Sequence, residues 1–124
     1  MANNRKKGHD LERQVARDLK PYFNFVKTSR ASSKMLDDCG VDINFVPMLI
    51  QCKSGYERAR PKFDDELKNV NENIKKHFPP NHSIHKLPFV LIHKLDRKGT
   101  IVTLDYELFK ELLKAPVFQE LPSL

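Results

Sequence analysis

The stretch Gly40–Ser54, GVDINFVPMLIQCKS, decides how this chain folds. Val41, Ile43 and Phe45 alternate with Asp42 and Asn44. After Val46-Pro47, Ile50 and Cys52 alternate with Gln51 and Lys53. A period of two marks strands with one buried and one more polar face, so the stretch reads as a hairpin. Proline favours the first central position of a turn, which makes Pro47-Met48 the expected centre and sets Asp42 opposite Lys53. A centre at Val46-Pro47 sets Asp42 opposite Gln51 instead. In both registers Asp42, Gln51 and Lys53 project from one face, with opposed Cβ atoms about 5 Å apart. A three-residue loop would flip one strand and break this constellation.

Upstream, residues 9–20 read as a helix, with Leu11, Val15 and Leu19 at helical spacing and Pro21 as its stop. At about 100° per residue, Glu12 falls inside the apolar arc, where a carboxylate needs a cation or hydrogen-bond partner. Residues 1–8 are a basic arm. Residues 22–29, YFNFVKTS, are rich in β-formers and read as a first strand. Residues 30–39, RASSKMLDDC, show no period and read as a loop leading into Asp42. Such a loop is the kind of segment that lies over an active site.

Downstream, residues 55–62 form a second basic loop. Residues 63–77 are an amphipathic helix that buries Phe63, Leu67, Val70 and Ile74, with acids in its first turn and bases in its last. His82 and His85 stand three apart but have no metal-like company. Residues 87–94, LPFVLIHK, are nearly continuous in apolar character, as in a strand covered on both faces. Asp96 to Gly99 form a turn with Gly99 expected at the positive-φ position. Thr100 to Leu104 are the return strand, and Asp105 caps a last helix through Lys114. Residues 115–124 are a C-terminal tail with Val117, Phe118 and Leu121. The order α-β-β-β-α-β-β-α defines an α/β class with a mixed sheet of about five strands flanked by helices.

The 124 residues suit a single domain spanning 1–124. No apolar run is long enough to span a bilayer, and the basic N-terminus lacks the apolar segment of a secretory signal. Cys39 and Cys52 have no zinc-like spacing and read as reduced thiols of a cytoplasmic protein (the host cytoplasm if the source is viral). The net charge of +6 and pI near 9.4 favour an anionic partner, with nucleic acid the commonest. The basic residues cluster as Arg5, Lys6 and Lys7, then Lys27, Arg30 and Lys34, then Arg58, Arg60 and Lys62.

A helix glutamate, then G-x-D on a strand, then a hairpin into acid-x-K resembles the PD-(D/E)xK nuclease superfamily. Here those residues are Glu12, Gly40-Val41-Asp42 and Gln51-Cys52-Lys53. The compact size, the N-terminal KKGHDLERQVARDL and the Arg/Ser loop resemble archaeal-type Holliday-junction resolvases and their phage relatives. The likeness covers roughly residues 5–95 in pattern. It implies a restriction-endonuclease-like fold and a homodimeric DNA endonuclease of recombination and repair that uses Mg²⁺, with Mn²⁺ as a substitute. It further implies that Asp42, Gln51 and the Cys52 main-chain carbonyl hold the metal, with Glu12 contributing. Lys53 would orient the attacking water, and Arg30 and Ser32 would lie near the scissile phosphate. DNA contacts would come from Arg5, Lys6, Lys7, Arg30, Ser33, Lys34, Arg58, Arg60 and Lys62. Where the family has an acid, this chain has Gln51, whose amide oxygen is a neutral donor. Two other readings follow from the same residues: a restriction or repair nuclease on duplex or flapped DNA, and a non-catalytic DNA-binding module.

Overall fold

The computed structural model describes residues 4–55, 60–116 and 119. Its elements are α1 (Asn4–Leu19), β1 (Lys27–Thr28), α2 (Ser29–Ser32), α3 (Lys34–Asp38), β2 (Ile43–Asn44), β3 (Leu49–Ser54), α4 (Phe63–His77), β4 (Phe89–Lys94), β5 (Thr100–Leu104) and α5 (Tyr106–Leu112). A 3₁₀ turn, Ser83–Lys86, precedes β4. The strands lie in the order β1-β2-β3-β4-β5, antiparallel except for the central β3–β4 pair, which is parallel. This is the expected mixed five-stranded sheet flanked by helices.

The parallel pair is central because its sequences are apolar on both faces. Ile50, Cys52, Val90 and Ile92 meet Leu11 and Val15 of α1 on one side. Leu49, Leu91 and Phe89 meet Val70 and Ile74 of α4 on the other. Each aliphatic side chain so buried contributes about 1.5–3 kcal/mol relative to exposure. Helix α4 has the expected bounds, and Asp105 caps α5 by accepting the Glu107 N–H at 2.9 Å.

Several expectations are corrected. Residues 1–8 are not simply an arm, because α1 begins at Asn4. Lys6 supports that extension through Asp10 at 2.9 Å, and Lys7 through Asp96 at 3.3 Å. The first strand shrinks from 22–29 to Lys27–Thr28, since Tyr22 and Phe25 lack a covering layer and are about three-quarters exposed. The loop 30–39 is two short helices. Thr28 caps α2 by accepting the Ala31 N–H, and Ser33 caps α3 by accepting the Leu36 N–H. Such local side-chain bonds leave no apolar period to read. In the β4–β5 turn the left-handed residue is Arg97, at φ 59°, and Gly99 is not. The last helix ends at Leu112 rather than Lys114. Val117, Phe118 and Leu121 of the tail lie outside the described residues.

The hairpin also differs in detail. Ile43 pairs with Ile50, as in the alternative centred on Val46-Pro47, and Asp42 bonds to the same Ile50 rather than standing opposite Lys53. The connection is four residues, 45–48, with Phe45 in the left-handed region at φ 64° and half exposed. Val41 and Ile43 do not share a face: Val41 packs with the α4 core and Ile43 with the α1 core. Gln51 is buried rather than on a polar face, since β3 is covered on both sides.

Candidate functional site

Asp42 is fixed by main-chain hydrogen bonds on three sides. Its N–H donates to the Ile50 carbonyl at 2.8 Å, and its carbonyl accepts the Ser29 N–H at 2.8 Å. Its Oδ2 accepts the Cys52 N–H, again at 2.8 Å. Ile43 is also paired with Ile50, so two consecutive residues oppose one. A bulge of this kind re-aims a side chain, and it explains why the alternation of Val41 and Ile43 fails at Asp42. Gly40, at φ 85°, supplies the backbone turn just before it.

The charges around Asp42 are mostly negative. Burial pushes its carboxyl up to about 7; the Cys52 N–H opposes this, Glu12 and Asp37 add to it, and Lys53 opposes it. Glu12, on α1, is only 6% exposed, and Arg30 Nη2 of α2 lies 3.5 Å from its Oε1. Burial raises the Glu12 pKa against the positive fields of Arg30 and His9, with Asp37 again raising it. The buried Cys52 thiol is also pushed up, by burial and then by Asp42 and Glu12. Glu12, Asp37, Asp42 and Cys52 therefore share one electrostatic neighbourhood.

Gln51 is 6% exposed, and its Oε1 has no hydrogen-bond partner among the described residues. A Cβ at Gly40 would lie 3.1 Å from Gln51 Nε2, so the glycine makes room for this amide. Lys53 is half-buried, with Nζ 3.6 Å from Glu66 Oε1 of α4. Strand parity sets Gln51 and Lys53 on the α4 side, while the Asp42 carboxylate turns to the main chain between them.

The remaining expected residues separate into groups. Arg30 reaches the site through Glu12. The Ser32 hydroxyl is taken up elsewhere, donating to the Thr28 carbonyl at 2.8 Å and accepting from Asn44 at 3.1 Å. Ser33 is engaged as the α3 cap. Arg5, Lys6 and Lys7 lie on α1. Lys34 is exposed and pairs with Asp38 at 3.1 Å, and Arg60 and Lys62 are exposed at the start of α4. Arg58 lies outside the described residues.

Four residues were missed. Ser29, not Ser32, is the serine bonded to the Asp42 main chain, and its fully buried Oγ has no hydrogen-bond partner among the described residues. Asp37 acts on both Asp42 and Glu12. Glu66 falls beside Phe63 and Leu67 on the inner stripe of α4, the same signal that marked Glu12. His93, 3% exposed, stands level with Lys53 in the parallel register, and burial followed by the Arg60 charge lowers its pKa. It was legible only as part of an apolar run.

The donors suit a hard divalent cation only in part. Among the described residues, no three His, Cys, Asp or Glu side chains are grouped to hold a metal ion. What the site does offer is oxygen: the Asp42 carboxylate, the unpartnered Gln51 Oε1, the Cys52 carbonyl and Glu12. Gln51 approaches from the α4 side and Glu12 from α1, and a magnesium-like ion needs only one or two such protein oxygens because it keeps several waters. A buried acceptor without a donor is itself a reason to expect a cation or water there.

Fold and site together define a mixed-sheet α/β domain with a buried acid on α1, two half-buried acids before β2 and a lysine on β3. No family model, curated protein or solved structure matches the chain.

Proposed function

We propose that this chain is a metal-dependent DNA endonuclease of the PD-(D/E)xK type, acting as a homodimeric Holliday-junction resolvase with Mg²⁺, or Mn²⁺ in its place. The observation that carries this reading is the placement of Asp42. A main-chain frame anchors its carboxylate over β3, and Glu12, Asp37 and Lys53 act on it electrostatically. A buried Glu12 and a half-buried Asp42 whose pKa values are both raised are costly for a protein that has no use for them. A bound divalent ion would offset their charge and supply an acidified water at neutral pH.

In that site Asp42, Gln51 and the Cys52 carbonyl hold the ion, and Glu12 contributes directly or through water. Lys53 adds a fixed positive charge where the phosphate gains negative charge. Arg30, held by Glu12, offers its guanidinium to the phosphate side. The basic residues of α1 and of the segment just before α4 contact the DNA backbone. Two cuts on a symmetric junction need two sites, which a twofold dimer provides. Exposed, uncharged Ile101 and Val102 on the open edge of β5 give a second copy an apolar surface.

The test offers the purified protein a labelled four-way junction, a plain duplex and a flapped duplex with Mg²⁺. Paired nicks in the junction support the resolvase. Site-specific cutting of the duplex, with junctions ignored, moves the chain to the restriction or repair nucleases. Gln51 favours a second reading, a non-catalytic DNA-binding module on the same fold. That reading requires binding without cleavage under any metal.

A further inference from the structure

Strand parity sets Ser54 of β3 and Lys94 of β4 side by side on the α1 face, where the sheet ends. Beyond them lies a pocket of about 260 Å³ whose lining includes Lys7, Gln14, Ser54, Lys94, Asp96 and Arg97. Two larger hollows are apolar or acid-rimmed and contain no lysine or arginine. This one holds three cations and a buried serine hydroxyl with no hydrogen-bond partner among the described residues.

Three features indicate what it binds. First, its acids are already engaged: Asp96 with Lys7 at 3.3 Å, and Asp10 with Lys6 at 2.9 Å and Arg13 at 2.5 Å. Lys94 and Arg97 have no acidic partner among the described residues. Second, Lys7 sits near the start of α1, where the helix dipole disfavours a cation and favours an anion beside it. Third, the Lys98 N–H donates to the Leu95 carbonyl at 3.1 Å, which closes a turn with Arg97 at its third position. Only Arg97 there has positive φ, a pattern that calls for glycine. Arginine at that position is strained, and strain of this kind collects where a side chain has a task.

We propose that this pocket is a phosphate subsite that takes a DNA backbone phosphate beside the one being cut. The proposal rests on the nuclease reading and extends it. Leu11 of the pocket directly precedes Glu12 on α1, while Ser54 follows Lys53 on β3 but turns to the opposite face, so the subsite lies on the Glu12 side of the sheet. Lys94 and Arg97 supply charge, the Ser54 Oγ–H and the Gln14 amide donate hydrogen bonds, and the phosphate oxygens accept them.

The experiment measures junction affinity against salt concentration in EDTA, where no cutting occurs, for wild type and the variants Lys94→Ala, Arg97→Gly and Lys98→Ala. The expected result is weaker binding by Lys94→Ala and Arg97→Gly, each with a salt slope lower by about one. Arg97→Gly should melt no lower than wild type, because glycine relieves the turn. Lys98→Ala removes an equal charge from the same turn outside the pocket and should change both quantities less. A second arm adds inorganic phosphate and reads melting temperature: the upshift should persist in Lys98→Ala and fall in the two pocket variants. If Lys94→Ala and Arg97→Gly bind junctions as Lys98→Ala does, the subsite is overturned while the nuclease reading stands. If wild type binds no DNA, the nuclease reading fails together with the backbone assignment, and the phosphate arm alone decides whether the pocket takes the anion.

Discussion

The Asp42 carboxylate accepts the Cys52 main-chain N–H at 2.8 Å, and that bond ties the acid of one hairpin strand to the backbone of the other. It fixes Asp42 at the cost of burying it. Burial dominates, so the carboxyl titrates at about 7 instead of the ordinary 3.8.

That shift makes stability depend on pH. Between about 3.8 and 7 the folded chain holds a proton that the unfolded chain has lost, so stability falls as pH rises. The contribution is fully present below pH 3.8 and is lost as pH passes about 7. At about 1.4 kcal/mol per unit, the change is on the order of 4 kcal/mol. Asp42→Asn keeps an acceptor for the Cys52 N–H and carries no charge. In EDTA its melting temperature should exceed that of wild type at pH 8, and the gap should close near pH 4. Equal melting temperatures at pH 8 would show that burial of Asp42 carries no penalty.

Gly40 is needed for shape. At φ 85°, with a Cβ position 3.1 Å from Gln51 Nε2 and 3.4 Å from Val70, alanine is strained and crowded. Gly40→Ala should lose about 1–3 kcal/mol in denaturant unfolding. Gly8→Ala, in the open interior of α1, should gain up to about 1 kcal/mol. The reverse order would refute the close fit of Gly40 over Gln51.

Much of this was legible in the sequence. The continuous apolar run of β4 and the amphipathic stripe of α4 pointed to the two-faced sheet directly, and Glu12 stood out because it broke an apolar arc. The short helices α2 and α3 did not show, because serine and threonine caps rather than a hydrophobic period hold them. The register was misjudged because Pro47 sits in a four-residue connection with Phe45 left-handed, where the two-residue turn rule does not apply. Ser29 and Asp37 were hidden for the same reason: neither lies on a periodic stripe, and only the folded loop brings them to Asp42.

Gln51→Glu restores the missing charge. It should tighten Mg²⁺ binding by tenfold or more, about 1.4 kcal/mol, measured by calorimetric titration. Without metal the same variant should melt below wild type, because a carboxylate at the buried position 51 joins Asp42, Glu12 and Asp37. Unchanged Mg²⁺ affinity would remove Gln51 from the metal set.

Glu66 holds Lys53 at 3.6 Å from the first turn of α4. Glu66→Gln should lower the single-turnover cleavage rate by roughly tenfold, about 1.4 kcal/mol. Junction affinity in EDTA should be unchanged. An equal loss in affinity would mean that Glu66 supports the fold of the DNA face rather than the placement of Lys53.

The most direct measurement is the single-turnover cleavage of a labelled four-way junction with Mg²⁺, by wild type and by Asp42→Asn. Wild type should cut, and the variant should be slower by about a thousandfold, near 4 kcal/mol, while still binding the junction. Junctions left intact by wild type with Mg²⁺ or Mn²⁺, or cut equally fast by Asp42→Asn, would contradict a metal site built on Asp42.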